Sequence, residues 1–168
     1  MNVGSESRKE TTNRITETLN MAKTKTRTGI WNVRTMYAAG KLAQITSEMQ
    51  RYKLHILGVS ESRWTESGRM TTTSGSTVIY SGRDDNQHHE GVAIIIKKGI
   101  ERTLLEWKPI SSRIIMARFK GKQINITLFQ WYAPTNAADE ENKDVFYEQL
   151  QHKIDKTPNH DIRSSWET

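Results

Sequence analysis

The spacing of apolar and polar positions changes along the chain, and these changes predict its secondary structure. A mostly apolar stretch at residues 28–33 predicts a buried strand, and apolar residues at helical spacing between 42 and 52 predict an amphipathic helix. A second apolar stretch, residues 54–59, predicts another strand that ends next to Glu61. A strand, a helix and a second strand in this order predict a βαβ unit.

Short strands in quick succession are predicted after this unit, at residues 77–80, 91–97, 114–119 and 123–129. In the last of these, Ile124, Ile126 and Leu128 alternate with polar residues, which predicts that they share one face. Gly121 stands where a hairpin turn belongs. Residues 84–90 are all polar and predict a loop.

The two ends of the chain have different patterns. Residues 139–156 predict a helix that begins with acidic side chains, as the helix dipole favours. Its apolar stripe consists of Val145, Phe146, Leu150 and Ile154. No strand-length apolar run follows Pro158, and residues 1–26 are rich in polar side chains. The first 26 residues therefore predict a disordered basic leader.

Composition narrows the class of protein. A chain of 168 residues fits one domain, and the absence of cysteine excludes disulfides and thiolate zinc sites. The longest apolar run, at residues 92–96, is too short to span a bilayer, so we expect no membrane partner. The net charge of +6 makes a polyanionic partner plausible, although half of it falls within the first 27 residues.

Three polar side chains stand at the ends of predicted strands, where rigid scaffolds present chemical groups. Asn32 could hold a phosphate or orient a metal ligand, or it could be a turn residue. Glu61 could bind Mg²⁺ through its carboxylate, or it could pair with Arg63 or Arg34. Tyr132 could donate to a phosphate oxygen or a water, or it could be an aromatic core residue.

Taken together, the three stretches resemble the endonuclease/exonuclease/phosphatase superfamily, and most closely the RTE-type retrotransposon endonucleases. The resemblance rests on Thr28-Gly29-Ile30-Trp31-Asn32-Val33-Arg34, on Gly58-Val59-Ser60-Glu61-Ser62-Arg63-Trp64 and on Tyr132-Ala133-Pro134-Thr135-Asn136. It covers residues 25 to 162. It implies the N-terminal part of a DNase I-like four-layer α/β sandwich, with two sheets flanked by helices and the second half missing.

The resemblance also implies a role for each matching residue. Asn32 and Tyr132 match catalytic positions, and Glu61 matches the metal-binding glutamate, with Mg²⁺ as the expected cofactor and Mn²⁺ as a substitute. Arg63, Arg113 and Asn136 match positions that would contact nucleic acid, and for Arg113 an edge-strand charge is the alternative. The implied partner is DNA, and an active copy would work in the nucleus.

Two later motifs of the superfamily, Gly-Asp-x-Asn and Ser-Asp-His, do not occur in the sequence. We therefore expect a partial domain at residues 27–162, a tail unlike the family at 163–168, and a weakly held metal. Asp161 does not replace the missing aspartate, because no predicted strand precedes it. The histidines are expected at the surface, except that His55 could pack against a strand.

These absences lead to the main functional expectation, a truncated and inactive remnant of a Mg²⁺-dependent DNA endonuclease. Each missing acid or base group typically contributes about 10²–10⁴-fold to the rate. One alternative is a non-catalytic domain that binds nucleic acid or protein, with self-association through an uncovered sheet face. Another is a phosphatase or phosphodiesterase of the same superfamily.

Overall fold

The secondary structure comes from a computed structural model that describes residues 16–21, 24–135 and 138–167. Strand and helix bounds follow the chain order: β1 (Thr16–Met21), β2 (Thr24–Asn32), α1 (Lys41–Arg51), β3 (Ile56–Ser60), β4 (Ser67–Thr71), β5 (Thr77–Ser81), β6 (Val92–Ile96), β7 (Leu104–Ser111), β8 (Ile114–Phe119), β9 (Ile126–Trp131), α2 (Glu140–Asp155) and β10 (Ile162–Glu167). A 3₁₀ turn, Ile100–Thr103, precedes β7. Neither helix is long and apolar enough to cross a membrane.

The first sheet has six strands in the order β1-β2-β3-β6-β5-β4. The strands β2 and β3 are parallel and are joined through α1, which confirms the predicted βαβ unit. Their register places Asn32 beside Ser60. Every other neighbouring pair in this sheet is antiparallel. All five residues of β3 and of β6 are buried, because both faces of these central strands are covered.

The second sheet has four strands in the order β10-β9-β8-β7. The strands β8 and β9 form the predicted antiparallel hairpin. The strand β10 runs parallel to β9, and its last residue, Glu167, pairs with Trp131. The carboxyl ends of β9 and β10 therefore lie at the same edge of the sheet.

The two sheets pack face to face, and one helix covers the outer face of each. The core between the sheets includes Ile30 and Ile94 from the first sheet and Phe119 and Leu128 from the second. A second core lies between the first sheet and α1, and a third between the second sheet and α2. The result is the four-layer α/β sandwich that the resemblance implies.

This packing corrects one expectation from the sequence. The inner face of the first sheet was expected to be uncovered, but its inward side chains, including Ile30, Ile56 and Ile94, are at most 4% exposed. They are covered because β7, β8, β9 and β10 form a second sheet, of which the sequence predicted only β8 and β9. The physical reason for self-association through an uncovered face is therefore removed.

Four of the described strands, β1, β4, β7 and β10, were not predicted from the sequence. The strand β1 lies within the predicted disordered leader and obtains its backbone hydrogen bonds from β2; residues 1–15 and 22–23 lie outside the described part. In β4 no residue is buried, and in β10 only Trp166 is. Strands of this kind at the edge of a sheet leave little apolar periodicity in the sequence.

Two apolar positions were assigned to the wrong environment. Ile124 precedes β9 and is 48% exposed, whereas Ile126 and Leu128 are buried together as predicted. Val145 is 59% exposed on α2, although Phe146 and Leu150 of the same predicted stripe are buried. Asp139 caps α2 by accepting a hydrogen bond from the backbone of Asn142 (2.8 Å), in line with the predicted acidic start of this helix.

Candidate active site

The ends of three strands bring the predicted site residues together. Because β2 and β3 are parallel and in register at Asn32 and Ser60, the side chain of Glu61 emerges next to that of Asn32. Tyr132 follows β9 in the second sheet and reaches the same place across the sandwich. These three residues come from separate parts of the sequence and meet at one edge of the fold.

The carboxylate of Glu61 is held through one of its two oxygens. Asn32 Nδ2 donates to Oε1 at 2.8 Å, and the hydroxyl of Tyr132 donates to the same oxygen at 2.8 Å. The other oxygen, Oε2, lies 3.9 Å from Nη2 of Arg63, which is too far for a tight ion pair. The arrangement orients the carboxylate and leaves Oε2 available to a further partner.

The backbone around Glu61 is strained. Glu61 and Arg63 have φ values of 55° and 56°, in the left-handed region that costs a non-glycine residue about 1–3 kcal/mol. Backbone hydrogen bonds impose this shape, from Ser62 N to Gly91 O at 3.1 Å and from Arg63 N to Glu90 O at 2.8 Å. Strain of this kind persists where the surroundings fix it, and it is concentrated at functional sites.

Asn32 and Tyr132 both donate to Glu61, but their side chains are held and polarised in different ways. The Oδ1 atom of Asn32 accepts from the backbone of Arg34 at 3.0 Å, so its amide is fixed at both ends. Burial raises the pKa of Tyr132, and the hydrogen bond to Glu61 and the charge of that carboxylate raise it further, against the opposing charges of Arg113 and Arg63. Tyr132 therefore remains a protonated donor at neutral pH.

Arg113 contacts the protein around Tyr132. Its Nη1 donates to the carbonyl oxygens of Tyr132 at 3.3 Å and of Ala133 at 3.2 Å. The guanidinium lies 5.3 Å from the centre of the Tyr132 ring, and its Nη2 lies 3.9 Å from Glu90. Arg113 lies between β7 and β8 and is three-quarters buried, so it supports Tyr132 and presents only a small part of its charge to solvent.

Four of the six predicted site residues line an open cleft of about 220 Å³. Its walls consist of Glu61, Arg63, His89, Glu90, Arg113, Tyr132 and Thr135. Glu90 and His89 were not predicted as site residues, because they belong to the polar loop at 84–90. They reach the cleft because β6 pairs with β3, which places the residues before Val92 next to those after Ser60. Asn32 is not part of this lining but donates to Glu61, and Asn136 lies outside the described residues.

Glu90 is a fixed acid of this cleft. Its Oε1 accepts from Ser112 at 2.8 Å and from Arg83 at 3.3 Å, and only 10% of its side chain is exposed. Burial by itself would raise the pKa of Glu90, but hydrogen bonds from its own backbone and Ser112, with the charges of Arg113 and Arg83, outweigh burial and lower it. Glu90 therefore stays ionised and engaged with its partners.

The donor atoms available to a metal ion are few. Among the described residues, no three His, Asp or Glu side chains are grouped as a metal cage. Glu61 offers one carboxylate oxygen, and Mg²⁺ is commonly held by one or two carboxylates together with waters and substrate phosphate. The donor set therefore fits a weakly held Mg²⁺ or Mn²⁺ and does not fit a closed structural metal site.

Asp161 is engaged far from this cleft. It lies at the start of β10, beside the start of β9, whereas Tyr132 follows the opposite end of β9. Its carboxylate accepts two hydrogen bonds from Arg118, at 2.6 and 3.0 Å, and one from Thr127 at 2.7 Å. The prediction that Asp161 does not replace the family's catalytic aspartate agrees with this position.

The chain is similar to two curated proteins of much greater length. Craniofacial development protein 2 of Bos taurus is 39% identical over 134 residues, which is 80% of this chain and 22% of that protein. The same protein of Tragulus javanicus is 38% identical over 134 residues, 80% of this chain and 23% of that protein. The chain therefore spans less than a quarter of the length of these relatives.

Three solved structures, two of them described as endonucleases, share the fold of this chain. The catalytic domain of Xenopus laevis APE2 aligns with a TM-score of 0.55 at 14% identity, over 74% of this chain and 51% of that chain. The Leishmania major AP endonuclease aligns with a TM-score of 0.57 at 11% identity, over 73% and 46%. The endonuclease domain of TRAS1, a telomere-specific non-LTR retrotransposon, aligns with a TM-score of 0.55 at 15% identity, over 83% and 59%.

No protein-family model matches the chain. The assignment therefore rests on the relatives, on the architecture and on the sequence motifs around Asn32, Glu61 and Tyr132. The chain has the DNase I-like fold of the AP and retrotransposon endonuclease domains, of which it spans about half, and it resembles the endonuclease/exonuclease/phosphatase superfamily in its sequence motifs.

Proposed function

We propose that this chain carries the metal- and phosphate-binding part of a Mg²⁺-dependent DNA endonuclease site of retrotransposon origin, and that it cleaves DNA at a rate near background. One observation carries the proposal. The carboxylate of Glu61 is fixed through Oε1 by Asn32 and Tyr132, and Glu61 lines an open cleft. The likeness to AP and retrotransposon endonuclease domains supports DNA as the substrate.

A divalent cation would be held by Glu61 together with waters and a DNA phosphate. Bound there, it would stabilise the negative charge that develops on the phosphate during cleavage. Asn32 and Tyr132 keep the carboxylate in one orientation, and Arg63, which is about half exposed, adds positive charge at the rim of the cleft. One protein carboxylate gives weak binding of the cation in the absence of DNA.

The low rate follows because the described residues include no oriented proton acceptor in the cleft. Phosphodiester hydrolysis needs a base that orients and deprotonates the attacking water. Glu90 is occupied by Ser112 and two arginines, and its pKa is lowered, which makes it a poor base. His89 lines the cleft but is exposed, and no hydrogen bond from the described residues orients its imidazole. A base without such orientation contributes little.

Binding of Mn²⁺ tests the metal part of the proposal. The electron paramagnetic resonance signal of free Mn²⁺ decreases as the ion binds, and it can be titrated with protein in the presence and absence of a short DNA duplex. We expect weak binding that DNA strengthens, and a loss of about tenfold or more in Glu61→Gln, since the amide lacks the negative charge.

Glu66→Gln is a matched control, because Glu66 also has a left-handed backbone (φ 60°) and a carboxylate outside the cleft. It should bind Mn²⁺ as the wild type does. If Glu61→Gln binds Mn²⁺ as tightly as the wild type with DNA present, Glu61 is not the metal-binding residue and the proposal fails.

A non-catalytic DNA-binding role is the second candidate, favoured by the exposed guanidinium of Arg63 and the net charge of +6. It predicts metal-independent binding that weakens steeply with added salt, because neutralised phosphates release their counterions. Such binding, left unchanged by Glu61→Gln, would favour this candidate over the endonuclease site.

A further inference from the structure

Two exposed aromatic rings lie in contact beside the cleft. Tyr37 is 65% exposed, the highest value among the large hydrophobic residues described, and its ring centre lies 4.2 Å from that of His88. The planes are inclined at 43°. His88 belongs to the same polar loop as His89 and Glu90, which line the cleft. Burial of apolar surface does not explain the contact between these two rings, because both residues are exposed.

The aromatic pair is fixed to the strained segment around Glu61. Since the carbonyl of Arg63 can only accept, His88 Nδ1–H donates to it, at 2.9 Å. On the other side, the backbone N–H of Met36 donates to the carbonyl of Ser62 at 2.8 Å, and Trp64 Nε1 donates to the carbonyl of Met36 at 3.1 Å. The rings therefore occupy a defined position relative to Glu61.

Positive charge accompanies the rings. Arg63, whose carbonyl holds His88, has a half-exposed guanidinium that lies 3.9 Å from Glu61. Exposed aromatic faces next to cationic side chains are the features by which proteins bind unstacked bases, because every base has a π-face and its phosphate carries the charge. The position of the two rings beside the cleft favours a base that belongs to the same DNA strand as the phosphate in the cleft.

We propose that Tyr37 and His88 form a stacking platform for an unpaired DNA base, next to the strand whose phosphate lies in the Glu61 cleft. The inference rests on the proposed function and adds a preference to it. DNA with an unstacked base near the bound phosphate binds more tightly than a perfect duplex.

Duplexes that differ at one position test the platform. One contains a single unpaired 2-aminopurine, and its partner is fully paired. We would measure the affinity for each by fluorescence anisotropy in the presence of Mg²⁺, together with the emission of 2-aminopurine, which stacking quenches. The wild type should prefer the unpaired duplex and quench its emission.

In Tyr37→Ala, the affinity for the unpaired duplex should fall roughly 5- to 150-fold, the usual range for loss of one base–aromatic stack, and the quenching should disappear. Tyr37→Phe keeps the ring and should retain both. Tyr52→Ala is the matched control, because Tyr52 is 45% exposed and has Arg51 over its ring at 5.8 Å, but lies at the end of α1 outside the cleft. It should behave as the wild type does.

Three outcomes would overturn the inference. They are a wild type with no preference for the unpaired duplex, a Tyr37→Ala variant with unchanged affinity, and equal losses by Tyr37→Ala on both duplexes. Glu61→Gln separates this inference from the proposed function, because it should abolish the part of the affinity that depends on Mg²⁺ and leave the preference for the unpaired base intact. Circular dichroism would verify that each variant is folded.

Discussion

Asp161 joins the start of β10 to β8 and β9 of the second sheet. Arg118 of β8 donates to it at 2.6 and 3.0 Å, and Thr127 of β9 at 2.7 Å. The Asp161 side chain is 2% exposed, whereas that of Arg118 is 25% exposed. Replacing the carboxylate by an amide, in Asp161→Asn, keeps the size of the side chain and removes its charge.

The expected loss can be estimated from this geometry. Removing one partner of a fully buried ion pair costs about 3–5 kcal/mol, but the exposed part of Arg118 regains hydration in the variant. We therefore expect the free energy of unfolding to fall by about 2–3 kcal/mol, in the range of one or two charge-assisted hydrogen bonds. For a chain of this size, that corresponds to a melting temperature lower by roughly 4–12 °C.

Urea denaturation at pH 7, followed by circular dichroism, measures this loss. Glu106→Gln is the control, because Glu106 forms an exposed ion pair with Lys108 (2.8 Å) in the same sheet, where less than about 1 kcal/mol is expected. If Asp161→Asn costs no more than Glu106→Gln, the ion pair does not hold β10 in place and the reasoning is refuted.

The dependence on pH gives an independent check. The hydrogen bonds from Arg118 lower the pKa of Asp161, against burial, and Thr127 lowers it further. The stabilisation is therefore complete above the unfolded pKa near 3.8 and is lost as the pH falls through the lower pKa of the folded state. The difference in the free energy of unfolding between the wild type and Asp161→Asn should become smaller below pH 4.

Two further predictions concern the first sheet. A Cβ atom at Gly58 would lie 2.0 Å from Oε1 of Gln130 and 2.8 Å from the ring of Trp166, so Gly58→Ala should lower the free energy of unfolding in urea by about 1–3 kcal/mol or more. Gly29→Ala should cost less, because the nearest atom to its Cβ is a Leu54 methyl at 3.0 Å. Equal losses in the two variants would contradict this prediction. Burial lowers the pKa of His55, and the charges of Lys97 and Arg27 lower it further. The contribution of His55 to the free energy of unfolding should therefore be fully present above the unfolded pKa of 6.5, and it should decrease as the pH falls from 6.5 to the folded pKa. His55→Asn keeps an acceptor for the backbone of Arg27 (2.9 Å to Nδ1 in the wild type), and its stability should no longer change in that window; the same pH profile in the variant would contradict the assignment.

The sequence predicted the elements that carry strong apolar patterns. The strands β3 and β6 are buried at every position, and both were predicted within one or two residues. By contrast, β4 and β7 have no buried residue, and β10 has only Trp166. These strands are stabilised by pairing with their neighbours, and pairing between distant segments leaves no local pattern in the sequence.

The candidate site divides in a similar way. Asn32, Glu61 and Tyr132 were predicted, and the fold brings them within hydrogen-bonding distance of one another. Glu90 and Tyr37 were not, because their contacts with the Glu61 segment depend on the pairing of β3 with β6 and on backbone hydrogen bonds between the loops. The spacing of residues along the chain does not predict these contacts.

Plasmid nicking tests the central claim most directly. Supercoiled plasmid would be incubated with excess protein in Mg²⁺, and the first-order nicking rates of the wild type and Glu61→Gln would be compared. We predict that the two rates agree within a few-fold, because the described residues orient no proton acceptor for the attacking water. A wild-type rate about 100-fold or more above that of Glu61→Gln would contradict the account, since a cleft with no such acceptor could not provide it.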